Sequence, residues 1–210
     1  LAHYRRALPA FTRIRELIEN GTLGTVRLVE HKFFLPESSI VVPDINSNWR
    51  VNPVISGGGH FHDLSPHMID LLLVYFGQPQ VYEGFSLKQH GESTADDFVQ
   101  GTIRFKNNIV FRGCWCFTVA ETAITDTLSI TGNKGQVSCT FFGDEMRLRT
   151  ADGEQVITFT NPENIQLPMI EGVTRYFLGE GPCPCPSSDG LRVMEIIDAF
   201  SQGRRGGAES

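Results

Sequence analysis

The chain has 210 residues, 40% of them hydrophobic and 20% charged, which is enough for one well-buried globular core to which 15 phenylalanines bring much of the volume. A net charge of −6, with lysines and arginines scattered, argues against nucleic acid or an anionic membrane surface as the main partner. The longest apolar run, Met68 to Phe76, is interrupted by Asp70 and is too short to cross a bilayer. Five cysteines form an odd set without the spacing of a secreted scaffold, so a reducing cytoplasm is the expected compartment. Beginning at Leu1 rather than Met, the chain reads as a piece of a longer protein that has lost any upstream targeting signal.

The first helical pattern opens at Leu8-Pro9-Ala10-Phe11, with Phe11, Ile14, Leu17 and Ile18 at helical spacing, and Asn20-Gly21 stops it. Val26 to Phe34 reads as a strand, with Val26, Leu28 and Glu30 on one side and Arg27, Val29 and His31 on the other. Leu35 to Ser56 has three prolines and no periodicity, and a loop of that length is usually functional. Gly57-Gly58-Gly59 leads into a second helix, about Phe61 to Phe76, ended by Gly77 and Pro79.

From Val81 onward strands dominate. Val99, Gly101, Ile103 and Phe105 share a face, Lys106-Asn107-Asn108 turns the chain, and Ile109, Phe111, Gly113, Trp115 and Phe117 share the facing one. Further hairpins are expected about Gly132-Asn-Lys-Gly135 and Asp152-Gly153. Ile170 to Leu178 reads as a helix, and Asp189 begins a last helix through Met194, Ile197 and Phe200. Helices and at least five antiparallel-type strands without βαβ alternation predict one α+β domain over 1–210, an open and largely antiparallel sheet with helices on one face. No Gly-x-Gly-x-x-Gly and no Gly-x-x-x-x-Gly-Lys-Ser/Thr occurs, so the chain has no recognisable phosphate cradle.

The densest polar cluster is Ser56-Gly-Gly-Gly-His60-Phe-His62-Asp63-Leu-Ser-Pro-His67-Met-Ile-Asp70. Asp63 and His67 are four apart, neighbours on one helix face, and Asp70 is three beyond. A carboxylate beside an imidazole favours the protonated ring and fixes which nitrogen faces outward, making an acid/base unit for a hydroxyl or carbonyl substrate. Gly58 and Gly59 leave backbone that a ligand can approach closely. A structural reading stands beside this one: Asp63 caps a later helix begun by Pro66, and His67 is a bonded core histidine. A third reading is a metal hydrolase using His60, His62, Asp63 and His67, which requires the first two to lie before the helix.

Trp49-Arg50 pairs an aromatic ring with a guanidinium, suited to a sugar ring and its hydroxyls or simply to anchoring the loop. Tyr4, Arg5 and Arg6 are placed to reach a cofactor phosphate or substrate, or to form a solvated first turn. Cys114-Trp-Cys116 and Cys183-Pro-Cys185 lack the Cys-x-x-Cys spacing of a structural zinc site, so reduced cysteines and no bound metal are expected.

Taken together, these residues resemble the C-terminal domain of the glucose–fructose oxidoreductase/inositol dehydrogenase (Gfo/Idh/MocA) family nearly end to end. Tyr4-Arg5-Arg6 to Gly24 resembles the helix that follows the family's dinucleotide domain. Asn48-Trp49-Arg50, Gly57-Gly58-Gly59, and Asp63 with His67 resemble its Trp-Arg, Gly-Gly-Gly and Asp-x-x-x-His elements. Ile130-Thr-Gly132-Asn-Lys-Gly135 resembles its hairpin, and Asp189-Gly-Leu-Arg-Val-Met194 the start of its final helix. The resemblance implies a glyceraldehyde-3-phosphate dehydrogenase-like C-terminal fold, and an open sheet face through which copies of the chain associate as a homo-oligomer. It implies a sugar, cyclitol or related polyol substrate oxidised or reduced with NAD or NADP, His67 as the acid/base and Asp63 as its partner. The cofactor is then held mainly by a Rossmann domain absent from this chain, and the family's Glu-Lys-Pro lysine is absent too, so the isolated chain is expected to be inactive. The alternative is a non-catalytic carbohydrate-binding or oligomerisation domain.

Overall fold

Residues 1, 3–37, 53–90 and 94–207 are described in a computed structural model of the chain. Among them, nine strands form one sheet in the order β8-β7-β6-β5-β1-β4-β3-β2-β9. The strands are β1 (Val26–Phe34), β2 (Pro79–Leu87), β3 (Phe98–Phe105), β4 (Val110–Cys116), β5 (Thr125–Gly132), β6 (Gly135–Cys139), β7 (Glu145–Thr150), β8 (Gly153–Thr158) and β9 (Arg205–Gly206). Every pairing is antiparallel except the central one, β1 with β4. The expected open, largely antiparallel α+β sheet is therefore the fold.

The helices are α1 (Pro9–Glu19), α2 (Pro53–Ser56), α3 (His60–Leu64), α4 (Pro66–Phe76), α5 (Leu167–Phe177) and α6 (Ser187–Ser201), with 3-10 turns at Tyr4–Ala7 and Glu121–Ala123. α1 begins as its sequence dictates, with Pro9 in the first turn, where a missing N–H costs nothing. It buries Phe11, Ile14 and Leu17. α6 lays Val193, Ile196, Ile197 and Phe200 on β2 and β3, and α4 packs beside it through Met68, Ile69, Leu71 and Leu72. These meet Val99, Ile103, Phe111 and Trp115 from the sheet in one core. The opposite sheet face shows Lys32, Gln100, Arg104 and Arg112 to solvent.

Glycine explains how a helix can lie so close to this sheet. Gly84, Gly101 and Gly113 stand side by side across β2, β3 and β4. A Cβ on Gly101 would overlap the Phe200 ring, and one on Gly113 would overlap Trp115. The three bare positions form a trough for the Trp115 and Phe200 rings. Absence of a side chain, rather than backbone freedom, selects glycine here.

Two expectations change. The second helix divides into α3 and α4 at Ser65, and the end of the long loop forms the short helix α2. In β1 a register shift between Val26 and Leu28 puts Val26 with the buried Val29, His31 and Phe33, so it does not share the side of Leu28 and Glu30.

His31 follows Gly113 in the same row of the sheet and is 3% exposed. Its Nδ1 donates to the Thr127 carbonyl at 3.1 Å, and rings of Phe33, Trp115 and Phe141 surround it. Burial pushes its pKa from 6.5 down to about 3. Between those values the unfolded chain binds a proton that the folded chain refuses, so stability is lost as the pH falls from about 6.5 to about 3. Urea unfolding midpoints against pH should show this slope in the wild type and a shallower one in His31→Leu. Equal slopes would remove His31 as its source.

Candidate active site

The glycine turn and the break between α3 and α4 build the site. Gly57 and Gly59 adopt φ of 87° and 78°, which side chains resist, and Ser56 Oγ accepts the N–H of Gly59 at 3.0 Å and of Gly58 at 3.4 Å. Gly58 lies against the His62 ring, where a Cβ would overlap the imidazole. A small side chain cannot replace it without moving α3.

Pro66 causes the break. It has no N–H to give to the carbonyl one turn earlier, so the ladder stops and restarts. Ser65 N–H still donates to Phe61 O at 3.0 Å, while Ser65 O receives the N–H groups of Met68 and Ile69 at 3.0 and 3.1 Å. Asp63 thus lies in the last turn of α3 and His67 in the first turn of α4.

The His67 ring meets the 3-10 turn and the residue before it. Its centroid is 5.1 Å from that of Tyr4 and 5.7 Å from that of His3, the latter pair perpendicular. Burial first, then the positive charges of Arg5 and His3, push its pKa from 6.5 down to about 4. The direction opposes the reading in which a carboxylate beside His67 favours its protonated form. His67 is a neutral imidazole near pH 7. Its Nδ1 is buried without a hydrogen-bond partner among the described residues, so Nε2 is the nitrogen left for chemistry.

Asp70, which the spacing allowed to approach His67, is bound by Arg6 instead. It is 1% exposed and accepts from Arg6 Nε at 2.9 Å and from Nη2. Arg6 also donates to Asp189 Oδ2 at 3.0 Å and to Pro184 O at 2.7 Å. One guanidinium therefore ties the opening turn to α4 and α6. Arg5, its neighbour, turns inward: it is 5% exposed, donates to Phe141 O at 2.9 Å and lies over the rings of Phe141 and Phe142. That corrects the expectation that Arg5 reaches a cofactor phosphate, because its guanidinium is enclosed by protein. Tyr4 remains beside His67.

Among the described residues no group of three or more His, Cys, Asp and Glu side chains could hold one ion, so His60, His62, Asp63 and His67 do not gather as the hydrolase reading requires. His62 turns instead toward Asp198 on α6, 4.0 Å away. Trp49 and Arg50 lie outside the described residues. Spacing gave no sign of His3: it precedes the Tyr-Arg-Arg run, and only the docking of the turn on α4 brings it to His67.

Sequence and structure comparisons agree with this architecture. The model of the GFO/IDH/MocA C-terminal domain matches residues 11–138. Oxidoreductase P35 of Formosa agariphila is 35% identical over 200 residues, covering 95% of this chain and 61% of that protein. The chain thus spans less than two thirds of that relative. Levoglucosan dehydrogenase, solved with NADH and levoglucosan, superposes with a TM-score of 0.79 at 21% identity, over 99% of this chain and 65% of that one. Aldose-aldose oxidoreductase of Caulobacter crescentus, solved with glycerol, gives 0.81 at 17%, over 98% and 62%. These two likenesses establish the fold, and the sequence matches establish the kinship: the chain belongs to the GFO/IDH/MocA family, whose C-terminal domain it represents.

Proposed function

We propose that this chain is the substrate-binding part of an NAD- or NADP-dependent dehydrogenase of a sugar, cyclitol or related polyol, with His67 as its acid/base. The observation that carries this reading is the His67 imidazole, held neutral by burial beside Arg5 and buried at Nδ1 without a partner among the described residues. Nε2 takes the proton of the substrate hydroxyl during oxidation and returns it during reduction. Asp63 is assigned as its accompanying carboxylate, and Gly58, Gly59, Trp49 and Arg50 to the substrate, from sequence alone.

The nicotinamide supplies the hydride chemistry when bound, and a dinucleotide-binding domain outside this chain holds most of it. Tyr4, against the His67 ring, is the residue of that turn left for the cofactor, since Arg5 and Arg6 are both engaged within the chain. The uncovered sheet face, with Phe85 and Leu87 exposed at one end, is the surface assigned to self-association. No described helix is long and apolar enough to cross a membrane, and a cytoplasmic site is proposed.

The test is turnover by the longer protein that contains this chain. Absorbance of the reduced nicotinamide should appear with NAD or NADP and at least one member of a panel of aldoses, anhydrosugars and cyclitols. No turnover with either cofactor across the panel, alongside measurable sugar binding, would favour a carbohydrate-binding domain.

A further inference from the structure

We propose that His3 is the positioning residue of His67: its imidazole accepts the Nδ1–H of His67 and so fixes the tautomer that leaves Nε2 free as the base. The inference rests on the acid/base reading of His67 and adds its missing partner. A neutral imidazole carries one proton, and a base acting through Nε2 must carry it on Nδ1. That nitrogen is buried and has no partner among the described residues. A buried donor without an acceptor costs about 1–3 kcal/mol, so the tautomer the chemistry needs is the one the surroundings disfavour unless an acceptor arrives.

Among the described residues two rings touch His67. Tyr4 is one, and its ring is shared with the Arg5 guanidinium, 5.5 Å from its centroid. His3 is the other, perpendicular at 5.7 Å between centroids, and the proposal requires its side chain to rotate until a ring nitrogen comes to hydrogen-bond distance of Nδ1. His3 is half-buried, and burial lowers its pKa, which keeps a lone pair on its ring near neutral pH. The charged groups that face the pair are Arg5 from the turn beside His67, and Asp70, Arg6, the Leu1 amino group and Asp189 around His3. Asp70 and Asp189 are both held by Arg6. His3 is therefore the ring assigned to supply the acceptor for Nδ1.

Imidazole ¹⁵N NMR of the 210-residue chain tests the tautomer without cofactor. In the wild type His67 should show a protonated Nδ1 and an unprotonated Nε2. His3→Phe, which keeps the ring shape and removes the lone pair, should turn this into a mixture of tautomers, and His3→Gln, which restores an acceptor, should bring it back. In the longer protein His3→Phe should lower kcat on the order of ten-fold with KM unchanged, the worth of about one net hydrogen bond, and His3→Gln should recover it. A wild-type His67 protonated on Nε2, or a tautomer and kcat indifferent to His3→Phe, overturns the proposal. Loss of the acid/base reading would look different, because His67→Ala would then retain turnover whatever the NMR shows.

Discussion

Replacing His67 by alanine in the longer protein should lower kcat by about a hundred- to ten-thousand-fold, the usual worth of a positioned acid/base group. KM for the polyol should change little, because the imidazole acts on the proton that moves rather than on the whole ligand. The pH profile provides the sharper reading. Burial, Arg5 and His3 disfavour imidazolium, so the acid limb attributable to His67 should fall below the ordinary 6.5, toward about 4. As the pH drops through that value the base is lost and oxidation slows; above it His67 is fully available. Steady-state rates across the acid range check this. An alanine variant with full turnover would remove His67 from the chemistry, and an acid limb unmoved by the substitution would assign it to another group.

The second large effect is on stability. Arg6→Met should cost about 3–5 kcal/mol in unfolding free energy, because it strands the Asp70 carboxylate inside the protein. Arg6 is itself only 12% exposed, so solvent does little to soften the loss. Removing both charges is a different experiment: Arg6→Met with Asp70→Leu should recover most of the stability, since a buried pair replaced by apolar groups of similar volume is often neutral. Urea midpoints of the single and double variants, read as a double-mutant cycle, decide it. A single variant within 1 kcal/mol of the wild type would mean that water or Asp189 rearranges to serve Asp70.

Arg5 and Arg6 show why part of this was not legible. They are adjacent, chemically identical, and belong to one run of three residues. In a 3-10 turn neighbouring side chains leave in different directions, so one enters the Phe141–Phe142 cluster and the other reaches Asp70 and Asp189. Nothing in the spacing of Tyr4-Arg5-Arg6 distinguishes them, because the partners are 64 to 183 residues away. Asp63 and His67 teach a related lesson. Their spacing on an unbroken helix would stack them on one face, but Pro66 interrupts the ladder between them, and the charges that act most on His67 come from Arg5 and His3.

By itself the sequence determined most of the elements and their faces, the break at Ser65 and the side of Val26 excepted. Alternating apolar residues in β3 and β4, the glycine-bearing turns and the helical spacing in α1 and α6 each encode a local preference that burial then enforces. It also marked the site segment, since three consecutive glycines before a His- and Asp-rich stretch are chemically conspicuous. Tertiary structure alone decided which groups meet: His3 with His67, Arg6 with Asp70 and Asp189, and His62 with Asp198. The physical reason is range. Backbone geometry and alternation act over a few residues, whereas the protonation of the His67 imidazole depends on burial and charges delivered by elements far apart in the chain.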